Sequence, residues 1–367
     1  MRRLEIDHLR NLAAVRLQLG SHFNCLVGPN GAGKTSVLEA AYLLTRGRSF
    51  RGHAVSPVVA DGQDGLVVRA ELDTGRSLGV ARSRRGKSVL HIDQQPTRRL
   101  SEAAALLPLN LLLPDVSELV FGAPGERRRY LDGGLFHVEP AYLMALKDFQ
   151  GANRQRNALL RTWGDRDSGQ QMDVWTEAFC RHAERVDGFR TDYVEELRPW
   201  VAALLQELAV PFEVELTYRN GWGEESLDKL LGATLAKDVK SGMTGAGPHR
   251  AELSLGVAGT SARNKLSRGQ GKLLATALIV AQARLLQAQT QRRSLFLIDE
   301  LGAEMDSAHL ARLVAVLDSA TCQVIATSTR LPGEEFGNLA SDGGLTLFHV
   351  EQGQVRSSQV EPRSIYG

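Results

Sequence analysis

Two stretches of the chain carry residue types at spacings that could do chemistry, one near each end. The first is GPNGAGKT (Gly28 to Thr35), which fits G-x-x-x-x-G-K-[ST]. Its glycines let the backbone curl so that successive N–H groups point inward at phosphate oxygens. The apolar run HFNCLV (His22 to Val27) reads as a buried strand ahead of it, and SVLEAAYLLT (Ser36 to Thr45) has helical spacing behind it. That helix would aim its N-terminal dipole at the same charge. Gly28, Pro29, Asn30, Gly31, Ala32, Gly33, Lys34, Thr35 and Ser36 therefore form the expected cradle for a nucleoside triphosphate, with ATP the expected cofactor. Lys34 would reach the β- and γ-phosphates, and Thr35 would hold Mg²⁺ through its hydroxyl. The plain alternative is a chance glycine-rich turn, and the strand and helix on either side weigh against it.

The second stretch is SLFLIDE (Ser294 to Glu300), an apolar strand ending in two acids. Beside a phosphate loop, Asp299 would serve the water shell of Mg²⁺, and Glu300 would polarise the attacking water as general base. A strand that merely ends in solvated acids is the bland reading. LSRGQGK (Leu266 to Lys272) opens a long helix; Ser267 is a natural N-cap. Its sharper reading is a second phosphate site, in which Ser267, Gly269 and Gln270 meet a γ-phosphate. One chain cannot easily bring both sites to one nucleotide, so two chains head-to-tail would each close the other's ATP. Asp306, in AEMD (Ala303 to Asp306), would then lie at the seam of that dimer, and it also reads as an N-cap. Thr327, ending CQVIATS, is placed to sense the γ-phosphate.

The elements that must position these residues follow a split pattern. Leu4, Ile6, Leu9, Val15, Leu17 and Leu19 alternate as strands do, and Gly65 to Asp93 reads as an antiparallel meander. NLLL (Asn110 to Leu113) is a further buried strand. Long helical stretches follow at Glu139 to Trp163 and Val174 to Ala209, with another at Ser226 to Lys240. Alternating α/β texture resumes at Arg250, and GTSARN (Gly259 to Asn264) is the most linker-like stretch. The expected fold is α/β: a mixed sheet with an antiparallel meander, split by a largely helical insertion. Residues 1–114 form the N-terminal lobe, 115–240 the insertion or lid, and 241–367 the C-terminal lobe.

Bulk properties set limits. At 367 residues the chain is too long for one simple core. A hydrophobic content of 43 % and a charged content of 23 % are those of an ordinary globular protein. The net charge of +2 does not demand a polyanionic partner, so any nucleic-acid surface must come from local clustering. Cys25, Cys180 and Cys322 are far apart and suggest neither a metal site nor a disulfide framework, which fits a reducing cytoplasm. The most apolar stretch, Leu273 to Leu286, is shorter than a membrane span and contains Gln282 and Arg284. No membrane segment and a cytoplasmic location are therefore expected.

Taken together the motifs resemble the ABC-type ATPases, with Walker A at Gly28 to Thr35, the signature at Ser267 to Gln270, Walker B ending at Asp299 and the D-loop at Asp306. The long separation of Walker A from Walker B resembles the branch related to SMC proteins, in which a helical insertion splits the head. Asp7-His8-Leu9-Arg10-Asn11, GRSFR (Gly47 to Arg51), PGERRRYLD (Pro124 to Asp132) and GPHRAEL (Gly247 to Leu253) look like the bacterial RecF family. That resemblance runs over nearly the whole chain. It implies a weak, DNA-stimulated ATPase of recombinational repair and replication-gap processing that supports the SOS response. Such a protein binds single-stranded, duplex or gapped DNA, forms an ATP-dependent homodimer, hydrolyses slowly, and helps RecR and RecO place RecA at gaps. Two departures from transporter ATPases, Thr327 in place of His and no Gln in LLLPDVSEL (Leu111 to Leu119), count against fast turnover.

Three basic clusters stand out: Arg46, Arg48 and Arg51; Arg82, Arg84, Arg85 and Lys87, with Arg98 and Arg99 following; and Arg127 to Arg129. A charge run is often only a solvated face, yet phosphate contacts need such residues on one surface. Arg46, Arg48, Arg51, Arg84 and Arg85 are the candidate DNA contacts, while Arg127 to Arg129 read as braces of the insertion or part of the lid. Competing readings fare worse. A transporter ATPase predicts a shorter Walker A-to-B separation and a Gln lid loop. A GTPase lacks its base-reading Asp after Asn264-Lys265. Glu300 argues against a non-hydrolysing structural head.

Overall fold

The computed structural model describes residues 1–52, 58–163, 168–302, 305–320, 322–337, 339 and 342–358. It divides into two compact units, Met1–Val116 with Gln291–Gly367, and Ser117–Thr290. The first unit opens with β1 (Arg3–Leu9) and β2 (Leu12–Gln18), an antiparallel hairpin that buries Leu4, Ile6, Val15 and Leu17 on one face. Strand β3 (Phe23–Val27) is buried throughout and leads through the glycine loop into α1 (Lys34–Arg46). The meander is β4 (Gly65–Glu71), β5 (Ser77–Ser83), β6 (Ser88–Ile92) and β7 (Gln95–Thr97). It joins the first hairpin in one antiparallel sheet of order β2-β1-β4-β5-β6-β7. Helix α2 (Leu100–Leu106) and β8 (Leu109–Leu112) complete this segment.

The second unit is mainly helical. It comprises α3 (Glu118–Phe121), α4 (Pro124–Val138), α5 (Tyr142–Arg161), the long α6 (Ser168–Glu207), α7 (Leu227–Ala233) and α8 (Leu235–Ser241). Strands β9 (Glu215–Arg219), β10 (Glu252–Val257) and β11 (Thr260–Ser261) form a small antiparallel sheet, followed by α9 (Ala262–Lys265) and α10 (Arg268–Thr290). GTSARN is therefore not a linker. Ala258 and Gly259, both left-handed, turn the chain from β10 into β11. Thr260 and Ser261 are β11 itself, and Ala262 to Asn264 start α9.

A buried ion pair and a half-buried one knit this unit together. Arg156, 1 % exposed, donates to Asp238 at 3.0 Å and to Thr244 Oγ1 at 2.7 Å. Arg190 donates to Asp132 at 2.7 Å and to the Pro248 carbonyl at 2.8 Å, which makes the GPHR segment a joint. Removing one partner of the buried pair costs about 3–5 kcal/mol, because the other charge stays buried. Arg127 bonds both carboxylate oxygens of Glu252 and the carbonyls of Leu119, Val120 and Gly122. It is a brace, as expected.

The chain returns to the first unit with β12 (Leu295–Ile298), α11 (Ser307–Ser319), β13 (Gln323–Ser328), β14 (Leu345–Glu351) and β15 (Gln354–Ser358). These strands form a second sheet of order β15-β14-β3-β13-β12-β8, parallel except for the β14–β15 hairpin. Leu4 and Ile6 of the antiparallel sheet, Leu26, Leu297 and Ile325 of the parallel sheet, and Val37, Leu38 and Leu44 of α1 belong to one core cluster. Truncating a fully buried leucine such as Leu38 to Ala would cost about 2–5 kcal/mol.

The unit boundaries differ from the expected 1–114, 115–240 and 241–367. Residues 241–290 group with the helical unit, because α10 packs on α3, α4 and α6. Its buried residues, among them Leu274, Leu278 and Leu285, need that cover. Among the described residues, no helix is long and apolar enough to cross a membrane.

Candidate nucleotide-binding site

The parallel strands β3, β12 and β13 all end at the same edge of their sheet. In open α/β sheets that carboxyl edge is where ligands bind. The glycine loop follows β3, Asp299 and Glu300 follow β12, and Thr327 sits near the end of β13. Close approach dictates the first glycine: a side-chain carbon at Gly28 would fall 2.0 Å from the Val350 carbonyl oxygen. Gly33, at φ 116, occupies the N-cap position of α1, and no acid follows in the first turn. No side chain caps this helix, so its first N–H groups keep their capacity for an anion.

Lys34 is 6 % exposed and donates to the carbonyls of Gly28 at 2.7 Å and Pro29 at 3.0 Å. Burial lowers its pKa, while Asp299 and Glu300 pull it back up. Thr35 Oγ1 donates to Asp299 Oδ1 at 2.9 Å, and Thr327 Oγ1 donates to the same oxygen at 2.8 Å. The Thr327 hydroxyl also accepts the Glu300 N–H at 2.8 Å, and its carbonyl accepts the Leu301 N–H at 2.8 Å. Glu300 has φ 57, a left-handed conformation uncommon for a side-chain-bearing residue. Thr327 is thus brought to the site, but it is fully buried with its hydroxyl turned to Asp299 and Glu300. The expected sensor of a γ-phosphate holds the acidic corner.

The loop has a second support that the sequence reading did not identify. Asn11, in the β1–β2 turn, donates to the Gly31 carbonyl at 3.3 Å and accepts from Ser36 Oγ at 3.2 Å. Its neighbour Arg10 pairs with the fully buried Glu39 of α1, Nη2 to Oε1 at 2.7 Å. From the far side, the Gly353 N–H donates to the Ala32 carbonyl at 2.8 Å. Local pattern marked only the Arg10-Asn11 motif, not what it touches.

The other expected residues start two helices. Ser267, Gly269 and Gln270 begin α10 in the helical unit. The Ser267 hydroxyl accepts the Gln270 N–H at 3.3 Å, and the Gln270 side chain accepts the Ser267 N–H at 2.9 Å. This is a reciprocal capping box, so the N-cap reading is realised. Ser267 and Gly269 are also exposed, with open space around Gly269. Asp306 caps α11 through the His309 N–H at 2.8 Å, and that bond above all holds its carboxyl below the usual range. Ala303 and Glu304 of the AEMD segment lie outside the described residues.

The basic clusters converge in part. Arg46 ends α1, and Arg82 of β5 donates to the next carbonyl, Gly47, at 2.7 Å. Leu100, beside Arg98 and Arg99, packs close to Gly47 as well. Arg48, Arg51 and Arg85 are exposed. Arg84 differs, since it donates to the carbonyls of Gln63 at 3.0 Å and Ala60 at 2.6 Å. It ties down its own loop, which leaves fewer of its donors for phosphate.

Fold and phosphate loop together define an SMC-type head of the ABC ATPase class. The family model "RecF/RecN/SMC N terminal domain" matches residues 1–341. The chain belongs to the RecF family. It is 40 % identical to the DNA replication and repair protein RecF of Azotobacter vinelandii, over 96 % of this chain and 97 % of that protein. It is 36 % identical to the RecF of Vibrio parahaemolyticus, over 97 % of this chain and 99 % of that one. A solved RecF–ATP structure, described as the recombination mediator of the RecFOR pathway, superposes with TM-score 0.84 at 23 % identity, covering 98 % and 97 % of the two chains. An SMC head from Pyrococcus furiosus superposes with TM-score 0.60 at 15 % identity, covering 98 % and 96 %. At those identities the two superpositions establish the fold.

Proposed function

We propose that this chain is an ATP-dependent DNA-binding protein of recombinational repair and replication-gap processing. It dimerises on ATP, hydrolyses ATP slowly with stimulation by DNA, and helps RecR, RecO and RecA reach gapped DNA in the cytoplasm, supporting the SOS response. The observation that carries this reading is the convergence of Lys34, Thr35, Asp299 and Glu300 at one sheet edge, beside an uncapped helix N-terminus. Family membership supports the repair role.

The residues fit ATP and Mg²⁺. The loop's N–H groups and Lys34 suit a polyphosphate, and the oxygens of Thr35 and Asp299, 2.9 Å apart, suit a small hard cation. Mg²⁺ held there would offset charge on the phosphates. Glu300 takes a proton from the attacking water at its carboxylate. Thr327 keeps Asp299 and Glu300 in register, so it is a positioning residue. Ser267, Gly269 and Gln270 of a second copy close the pocket, with Asp306 at the seam. Arg46, Arg48, Arg51 and Arg85 supply the DNA surface, with Arg84 secondary.

A titration of gapped, single-stranded and duplex DNA with and without ATP tests the reading. ATP should tighten binding, and reversing Arg48 and Arg51 to Glu should weaken it and flatten its salt dependence. DNA affinity indifferent to ATP and to both arginines would overturn it.

A further inference from the structure

The first unit carries a second concave feature, at the other end of the strand that bears Asp299. Strand β12 runs from Leu295 to Ile298, so its two ends lie roughly 10 Å apart. At the Leu295 end there is a cavity of about 680 Å³. A second lobe of about 540 Å³ shares Arg76, Ala105 and Leu106 with it. The two form one elongated groove along α2 and the start of β8. We propose that this groove docks an extended acidic segment of a partner protein, one that alternates carboxylates with apolar side chains.

Charge, floor and shape each favour that occupant. Arg2, Arg76, Arg292 and Arg293 line the groove, against Asp73 and Glu102. This is a local excess of two charges, equal to the net charge of the whole chain. Arg76 is already paired with Asp93 at 2.5 Å, and Arg292 donates to the Ala105 carbonyl. Arg2 and Arg293 are exposed. The floor is leucine: Leu72 and Leu107 are buried, and Leu106 is half-buried. Ser294, in the same wall, is 2 % exposed, and its hydroxyl has no hydrogen-bond partner among the described residues. That oxygen is itself screened from the groove, so Ser294 closes the wall and the contacts for an occupant come from the arginines and leucines.

A lone inorganic anion would use one pair of arginines and leave the leucines and the second lobe uncovered. A single nucleic-acid strand held by base stacking would use an aromatic platform. No aromatic residue lines either lobe among the described residues. An acidic-apolar peptide uses all three features, its carboxylates on the arginines and its apolar side chains on the floor.

The test uses fluorescence anisotropy on the full chain with three labelled probes. These are a short peptide alternating Asp and Leu, the same peptide with Lys for Asp, and an oligothymidylate. The native protein should bind the acidic peptide and not the basic one. The double variant Arg2→Glu/Arg293→Glu should weaken it about tenfold, since two exposed charges are reversed. Leu106→Ser should weaken it several-fold through the floor. ATP-analogue binding, unchanged in both variants, reports that the unit remains folded. No binding of the acidic peptide, or binding that neither substitution alters, overturns the proposal. Loss of oligothymidylate binding in the double variant with peptide binding intact overturns it in favour of a nucleic acid.

Discussion

The helix behind the phosphate loop and the helix behind the LSRGQ segment begin in opposite ways. Helix α1 starts at a left-handed glycine with no side-chain cap. Helix α10 starts inside a reciprocal capping box, with Ser267 and Gln270 satisfying one another's backbone. An uncapped start leaves N–H donors for a ligand; a self-capped one is complete without it. The first helix belongs to a site assembled in its own unit, where two hydroxyls converge on the Asp299 carboxylate. The second presents an exposed serine and glycine at the start of its helix, and the proposed second half-site rests on that surface. That asymmetry is consistent with the proposed shared site, in which one copy holds the nucleotide and the other closes it.

Breaking the first half should have the larger effects. Glu300→Gln removes the proton acceptor, and steady-state ATP hydrolysis should fall by about 10²-fold or more while ATP binding persists. Hydrolysis near the native rate would remove Glu300 from its role. Next comes Lys34→Met, which deletes a buried cation beside the phosphate position. ATP affinity, read by a fluorescent analogue, should drop by about 100-fold, as expected for loss of a charge-assisted bond worth about 1.5–3 kcal/mol. Native affinity in this variant would refute the phosphate cradle.

A finer change separates the two readings of Thr327. Thr327→Val loses the hydroxyl that joins Asp299 to Glu300, so kcat should fall about tenfold with KM nearly unchanged. Thr327→Ser should restore most of it. A rise in KM with kcat preserved would return Thr327 to the role of a phosphate contact.

Much of the site was legible because its signals are local. Strand, glycine loop and helix are contiguous from Phe23 to Arg46, and Asp299 ends an apolar strand. What escaped notice depends on distant contacts. No local pattern shows that Glu39 is buried on Arg10, that Asn11 reaches Gly31, or that Gly353 backs Ala32. The place of Thr327 at a strand end is readable from the sequence, but its hydrogen bond to a residue 28 positions away is not. Arg84 looked like a phosphate contact from charge alone, since a sequence cannot show which carbonyls an arginine will meet. The α/β texture after Arg250 suggested a return to the first lobe, whereas packing on α6 keeps α10 in the helical unit.

Ser267→Arg probes the proposed closure of one copy's site by the α10 start of another. Sedimentation velocity with and without ATP, alongside an ATP-binding titration, reads both halves separately. The native chain should shift from monomer to dimer on adding ATP. The variant should bind ATP with affinity close to native and remain a monomer. A variant that binds ATP and dimerises as the native chain does would contradict the shared site.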